Sequence, residues 1–113
     1  MTETDDPEKY RSQLASYARR KECRELGWPR DWNPGAITRP GSYLPLTESG
    51  AWELIAELLD GDHPIETLLL DDPKGKLGFI MKVVIDDTGI PLYIKIHFGS
   101  KGVVGRSFHK SHY

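Results

Sequence analysis

Cysteine is nearly absent from this chain: Cys23 is the single one among 113 residues. That excludes an intramolecular disulfide and any cysteine cage for zinc. Long apolar runs are missing too, and the opening Met1–Pro7 is polar and acidic. Neither a signal peptide nor a membrane segment is read, so the expected location is cytoplasmic. Net charge is small, at −2, which argues against nucleic-acid binding through bulk charge. No phosphate-cradling glycine loop is present, because Gly99-Ser100-Lys101-Gly102 precedes a strand pattern and reads as a hairpin turn. Ser107 has no nucleophile elbow: Gly105-Arg106-Ser107-Phe108-His109 is not Gly-x-Ser-x-Gly. His109 and His112 stand three apart without a helical pattern around them, a poor basis for a metal site. Neither metal nor cofactor is therefore expected.

What is present suits one small α+β domain spanning residues 1–113, with the acidic residues 1–8 expected to be flexible. Apolar residues make up 38% of the chain, and three Trp, five Tyr and three Phe supply material for a modest core. Asp6-Pro7 suits a helix start, and Tyr10, Leu14, Tyr17, Ala18 and Leu26 recur at helical spacing, predicting a helix that ends near Gly27. Arg19, Arg20, Lys21 and Arg24 then fall in its last turns. Residues 27–46 carry four prolines and three glycines and read as ordered loop. A second helix is predicted near Ser49–Asp60, with Trp52, Ile55, Leu58 and Leu59 as its apolar stripe and Gly61 at its end. Beyond it come extended runs at Ile65–Leu70 and Leu77–Ile85, turn signals at Asp72–Gly75 and Asp86–Gly89, and a final hairpin. The expectation is a small antiparallel sheet of about three to four strands, a C-terminal meander, packed on two N-terminal helices.

The final hairpin carries the strongest pattern. Leu92, Ile94, Ile96 and Phe98 alternate with Tyr93, Lys95 and His97. From Lys95 to Tyr113 there is no acidic residue, while Lys95, Lys101, Arg106 and Lys110 are basic. Regular hairpins place Lys82 opposite Tyr93, Tyr93 opposite Phe108, Lys95 opposite Arg106 and His97 opposite Val104. Lys82, Tyr93, Lys95, His97 and Arg106 then share one face, and Phe79, Met81, Leu92, Ile94 and Ile96 share the other, the core face. Gly105 leaves an alternative open. A glycine inside a strand often marks a bulge, which would bring Ser107 and His109 onto the polar face and turn Arg106 away.

A sheet face bearing Tyr, Lys, Arg and His suits chemistry on a phosphodiester. RNA is cut when the 2′-hydroxyl loses a proton, the phosphorane is stabilised and the 5′-oxygen gains a proton. Histidine serves either proton step, and Arg or Lys stabilises the added negative charge. Lys82, Tyr93, Lys95, Arg106, Ser107 and His109 are the candidate site residues on this reading. The plainer reading of each is a solvated edge residue or a cross-strand packing pair. A rival of another class is a non-catalytic module that binds an acidic protein or single-stranded RNA on the same face. Such binders show several exposed aromatics, and here Tyr93 and Phe108 alone qualify.

The run Leu-Tyr-Ile-Lys-Ile followed by Val-Val-Gly-Arg-Ser-Phe-His resembles the MqsR branch of RelE-like messenger-RNA interferases, over Leu92–His109 and more loosely from Lys82. The family pattern is a Tyr-x-Lys strand and a last strand ending in Ser-Phe and a basic residue, matched here by Tyr93, Lys95, Ser107, Phe108 and His109. His109 stands where the pattern has Lys, and residues 27–46 have no counterpart in it. The resemblance implies the toxin of a type II toxin–antitoxin pair, a metal-independent endoribonuclease acting on messenger RNA. Tyr93 and His109 would lie in its active site. It also implies a cognate antitoxin protein as partner, no membrane, and contact with DNA only through that antitoxin.

Overall fold

The computed structural model describes residues 9–38, 41, 44–61, 63–71, 74–85 and 89–110. It is an α+β domain in which two helices cover one face of a five-stranded mixed sheet. In chain order these are α1 (Arg11–Ala18), β1 (Arg24–Trp32), α2 (Glu48–Asp60), β2 (Glu66–Asp71), β3 (Lys74–Val83), β4 (Leu92–Phe98) and β5 (Val103–Lys110). The spatial order is β1-β5-β4-β3-β2. Neighbours from β2 to β5 run antiparallel as the expected meander, while β1 lies parallel to β5 at the sheet's edge. The predicted helix start at Asp6-Pro7, the stretch 1–8, and His112 lie outside the described residues. So do parts of the two predicted turns near Asp72 and Asp86.

The expectation of three or four antiparallel strands is corrected by β1, which arises where a helix end and a loop were read. Helix α1 stops at Ala18 because its apolar positions lapse: Arg19 to Glu22 are exposed, and Cys23 is the next buried residue. Arg24, expected in the helix's last turn, instead begins the strand and reaches back, its Nε donating to the Ala18 carbonyl at 2.8 Å. That satisfies one of the carbonyls a helix end leaves open. Arg19 pairs with Asp60 on α2. Pro29 is tolerated because β1 is an edge strand, and the pairing with β5 is interrupted between Leu26 and Asp31.

Helix α2 forms nearly as predicted. Thr47 caps it, its Oγ1 accepting from the Gly50 N–H at 2.9 Å. Its far end is closed by Arg11 of α1, whose guanidinium donates to the carbonyls of Leu59 and Gly61, each at 3.0 Å, and of His63. A cation there also favours the helix dipole. Gly61 ends the helix in an extended conformation, not the left-handed one that glycine often supplies.

Trp52, Ile55 and Leu59 of α2 and Leu14 of α1 pack on Phe79, Met81, Leu92, Ile94, Ile96 and Phe108 of the sheet, and Leu58 packs beside them. The predicted core face is therefore the observed one. Trp32 of β1 joins it, its ring tilted against Trp52 at 5.1 Å and against Phe108 at 5.3 Å between centroids. The Glu48 carboxylate accepts from both indole N–H groups, at 3.1 Å from Trp32 and 3.0 Å from Trp52. One carboxylate thus fastens β1 to α2. Leu44, in the proline- and glycine-rich segment 27–46, is exposed.

Candidate active site

The face of the sheet turned away from the helices carries all six candidate residues. Lys82 pairs with Tyr93, and Tyr93 pairs with His109, so these three form a row across β3, β4 and β5. Lys95 pairs with Ser107 in the next row. The turn that sets this register is the one predicted: Gly99 and Gly102 exchange backbone hydrogen bonds at 3.0 and 3.2 Å, with Gly102 at φ 146°.

Gly105 does mark a bulge. Ile96 pairs with Gly105 and Lys95 with Ser107, so Arg106 is the added residue of β5. The regular register, with Tyr93 opposite Phe108 and Lys95 opposite Arg106, is thereby corrected. Ser107 and His109 reach the polar face as the bulged alternative predicted. Arg106 does not turn away from it: its Nη1 donates to His97 Nε2 at 3.2 Å. The two neighbouring residues of the bulge thus present side chains to one face.

The bulge divides the candidates into a covered and an accessible group. Arg106 is only 7% exposed and His97 only 4%. The Arg106 side chain lies along Gly27 of β1, where a β-carbon would come within 2.8 Å of its Cδ. Ser107 is buried as well. His97 Nδ1 donates to the Phe98 carbonyl at 2.7 Å, which fixes the tautomer and leaves Nε2 as the acceptor for Arg106. Arg106 and His97 therefore hold each other below the surface, and a direct role for Arg106 on a substrate gives way to a supporting one.

Burial pushes His97 below the usual imidazole value of 6.5. Its bond to the Phe98 carbonyl opposes the shift, Arg106 and Lys76 add to it, and Glu25 opposes it. A neutral His97 in the fold and an ordinary one in the unfolded chain mean that the unfolded chain binds more protons. Stability is therefore full above 6.5 and is lost as pH falls through the folded-state value. Melting temperatures followed from about pH 7 to about pH 5 are expected to fall more steeply for the natural protein than for His97→Gln, which keeps an acceptor for Arg106. Equal slopes would remove His97 as the cause.

The accessible group is Lys82, Tyr93, Lys95 and His109. The His109 ring stacks on Tyr93 with centroids 5.6 Å apart. Its Nδ1 donates to the Lys110 carbonyl at 3.0 Å, so the backbone holds one nitrogen and Nε2 is the one available for proton transfer. Facing Nε2 at 3.5 Å is Asp31 of β1, a carboxylate 60% exposed in the segment whose prolines and glycines predict a loop. Asn33 donates from its amide to the other Asp31 oxygen at 2.6 Å. Asp31 joins the site because β1 pairs it with Ser107. The sequence signal was thin: one acid and one amide flanking a tryptophan. Tyr93 has its phenol pushed up from 10.0 by burial and by the nearby Glu66 charge, so the hydroxyl stays protonated and acts as a donor. Lys82 also leans toward Glu66, at 3.9 Å. His63, outside the site, bonds through Nε2 to the Lys82 carbonyl at 2.8 Å and joins the segment after α2 to β3.

Among the described residues, no three of His, Cys, Asp and Glu are grouped so as to hold a metal ion, and no helix is long and apolar enough to cross a membrane. No protein-family model, no curated protein and no solved structure matches the chain.

Proposed function

We propose that this chain is a metal-independent endoribonuclease, the toxin of a toxin–antitoxin pair acting on messenger RNA in the cytoplasm. The observation that carries the reading is the row Lys82–Tyr93–His109, with Asp31 at His109 Nε2 and Lys95 one step away. An imidazole whose Nε2 faces a carboxylate that balances its charge, a protonated phenol and two ammonium groups meet on one accessible sheet face. In this reading His109 takes the 2′-hydroxyl proton through Nε2 as the 2′-oxygen attacks phosphorus. Asp31 balances the imidazolium so formed. Lys82 and Lys95 stabilise the phosphorane, and the Tyr93 hydroxyl donates to the departing 5′-oxygen. The products are a 2′,3′-cyclic phosphate and a 5′-hydroxyl. Each proton and each charge has a residue of the chain assigned to it, which is why the reading needs no metal. An antitoxin protein covering this face would silence the enzyme by excluding RNA.

The test is cleavage of a defined messenger RNA by the purified chain with and without excess chelator. Equal rates and cyclic-phosphate ends are expected. Activity abolished by chelator and restored by magnesium would overturn the mechanism. Retention of RNA without cleavage would point instead to the binding module.

A further inference from the structure

Where β1 gives way to the turn Pro34–Ala36, a cleft of about 320 Å³ opens beside His109. Asn33, Ala36, Ile37, His109 and Lys110 line it. Its volume is at the small end of ligand sites, enough for one nucleobase and part of its sugar. The lining is of mixed character, as a base requires: aliphatic Ala36 and Ile37 for its flat face, polar Asn33 and Lys110 for its edge. Ile37 is buried, whereas Asn33 and Ala36 are exposed, so Ile37 forms the floor and the amide stands at the rim.

Asn33 is held at both ends. Its backbone N–H donates to the Phe108 carbonyl at 2.9 Å, and its side-chain nitrogen donates to Asp31. A carboxylate only accepts, so the amide nitrogen must face Asp31. That orientation leaves the amide oxygen and the second amide N–H. These are the acceptor–donor pair with which an asparagine reads adenine. The same Asp31 faces His109. The chain Asn33–Asp31–His109 therefore links the rim of the cleft to the nitrogen assigned the proton transfer.

We propose that this cleft is a nucleobase subsite that prefers adenine at a nucleotide next to the phosphate held over Lys82, Lys95 and His109. The proposal rests on the ribonuclease reading for its biological sense, but binding tests it without catalysis. The probes are 2′-deoxy tetranucleotides, which cannot be cut for want of the attacking hydroxyl, with one adenine moved through a set of uracils. Tighter binding by about 10-fold is expected with adenine at one position only, and that preference should vanish in Asn33→Ala. Ala36→Trp is a second variant, made at an exposed turn position to crowd the cleft, and it too should abolish the preference.

Cleavage gives an independent readout on matched RNAs differing at that one base. A merely structural role for Asn33 would slow both RNAs equally and leave their ratio unchanged, whereas a subsite role collapses the ratio. Equal binding of all the tetranucleotides by the natural protein, or a preference intact in both variants, would overturn the subsite. An adenine preference without any RNA cleavage would keep the subsite and remove the ribonuclease.

Discussion

His109→Ala is expected to lower RNA cleavage about 100- to 10,000-fold, the usual cost of a lost general acid or base. The melting temperature should stay nearly unchanged. The ring is 29% exposed at its side chain, rests on Tyr93, and bonds only to the Lys110 carbonyl and toward Asp31 at the sheet's margin. Water replaces those partners when the ring is removed, so no buried group is orphaned. Arg106→Ala should behave differently. Its guanidinium is buried against His97 and its stem fills the space over Gly27. Removing it leaves a void and deprives His97 Nε2 of its donor, so stability and activity should fall together. Rates and melts measured side by side separate the two cases. Full cleavage by the His109 variant would withdraw the imidazole from the mechanism, and with it the strongest reason to prefer an enzyme over a binding module.

The contrast between those residues shows where the sequence was legible. The alternation of Leu92, Ile94 and Ile96 with Tyr93 and Lys95 fixed the core face of β4, because a strand with one buried face tolerates no slip in register. Helix α2 announced itself through its apolar stripe, and the pairing of Lys82 with Tyr93 followed from regular strands. Alternation says only which side of the sheet a residue faces, not what later lies over it. His97 was therefore placed on the polar face correctly, but its burial under Arg106 depends on a bulge that a glycine merely permits. Strand β1 was hidden more deeply. Gly27 and Pro29 break its pattern, and its parallel pairing with β5 joins segments far apart in sequence. Asp31 and Asn33 come to His109 only through that pairing, so the thin local signal of an acid and an amide flanking Trp32 could not assign them to the site.

Gly105→Val is expected to be among the most damaging single changes in the chain, and the reason lies in that same long-range pairing. A β-carbon at Gly105 would come within 2.5 Å of Trp32 Cζ3 and 2.6 Å of its Cη2. An indole at a surface could swing aside, but this one is packed against the Trp52 and Phe108 rings and bonded to Glu48. Overpacking a fixed core typically costs about 1–3 kcal/mol, and the two branches of valine place the substitution at or above the top of that range. Gly105→Ala should cost less and in the same direction. Either change pushes Trp32 outward, draws β1 from β5, and carries Asp31 away from His109. Cleavage should then fall even under conditions where the domain remains folded. Urea unfolding of a double-mutant cycle decides whether the indole is the cause: with Trp32→Ala already present, the collision is gone, and Gly105→Ala should cost almost nothing more. If alanine at Gly105 costs the same in both backgrounds, the glycine is required by the bulge itself and not by the ring that covers it.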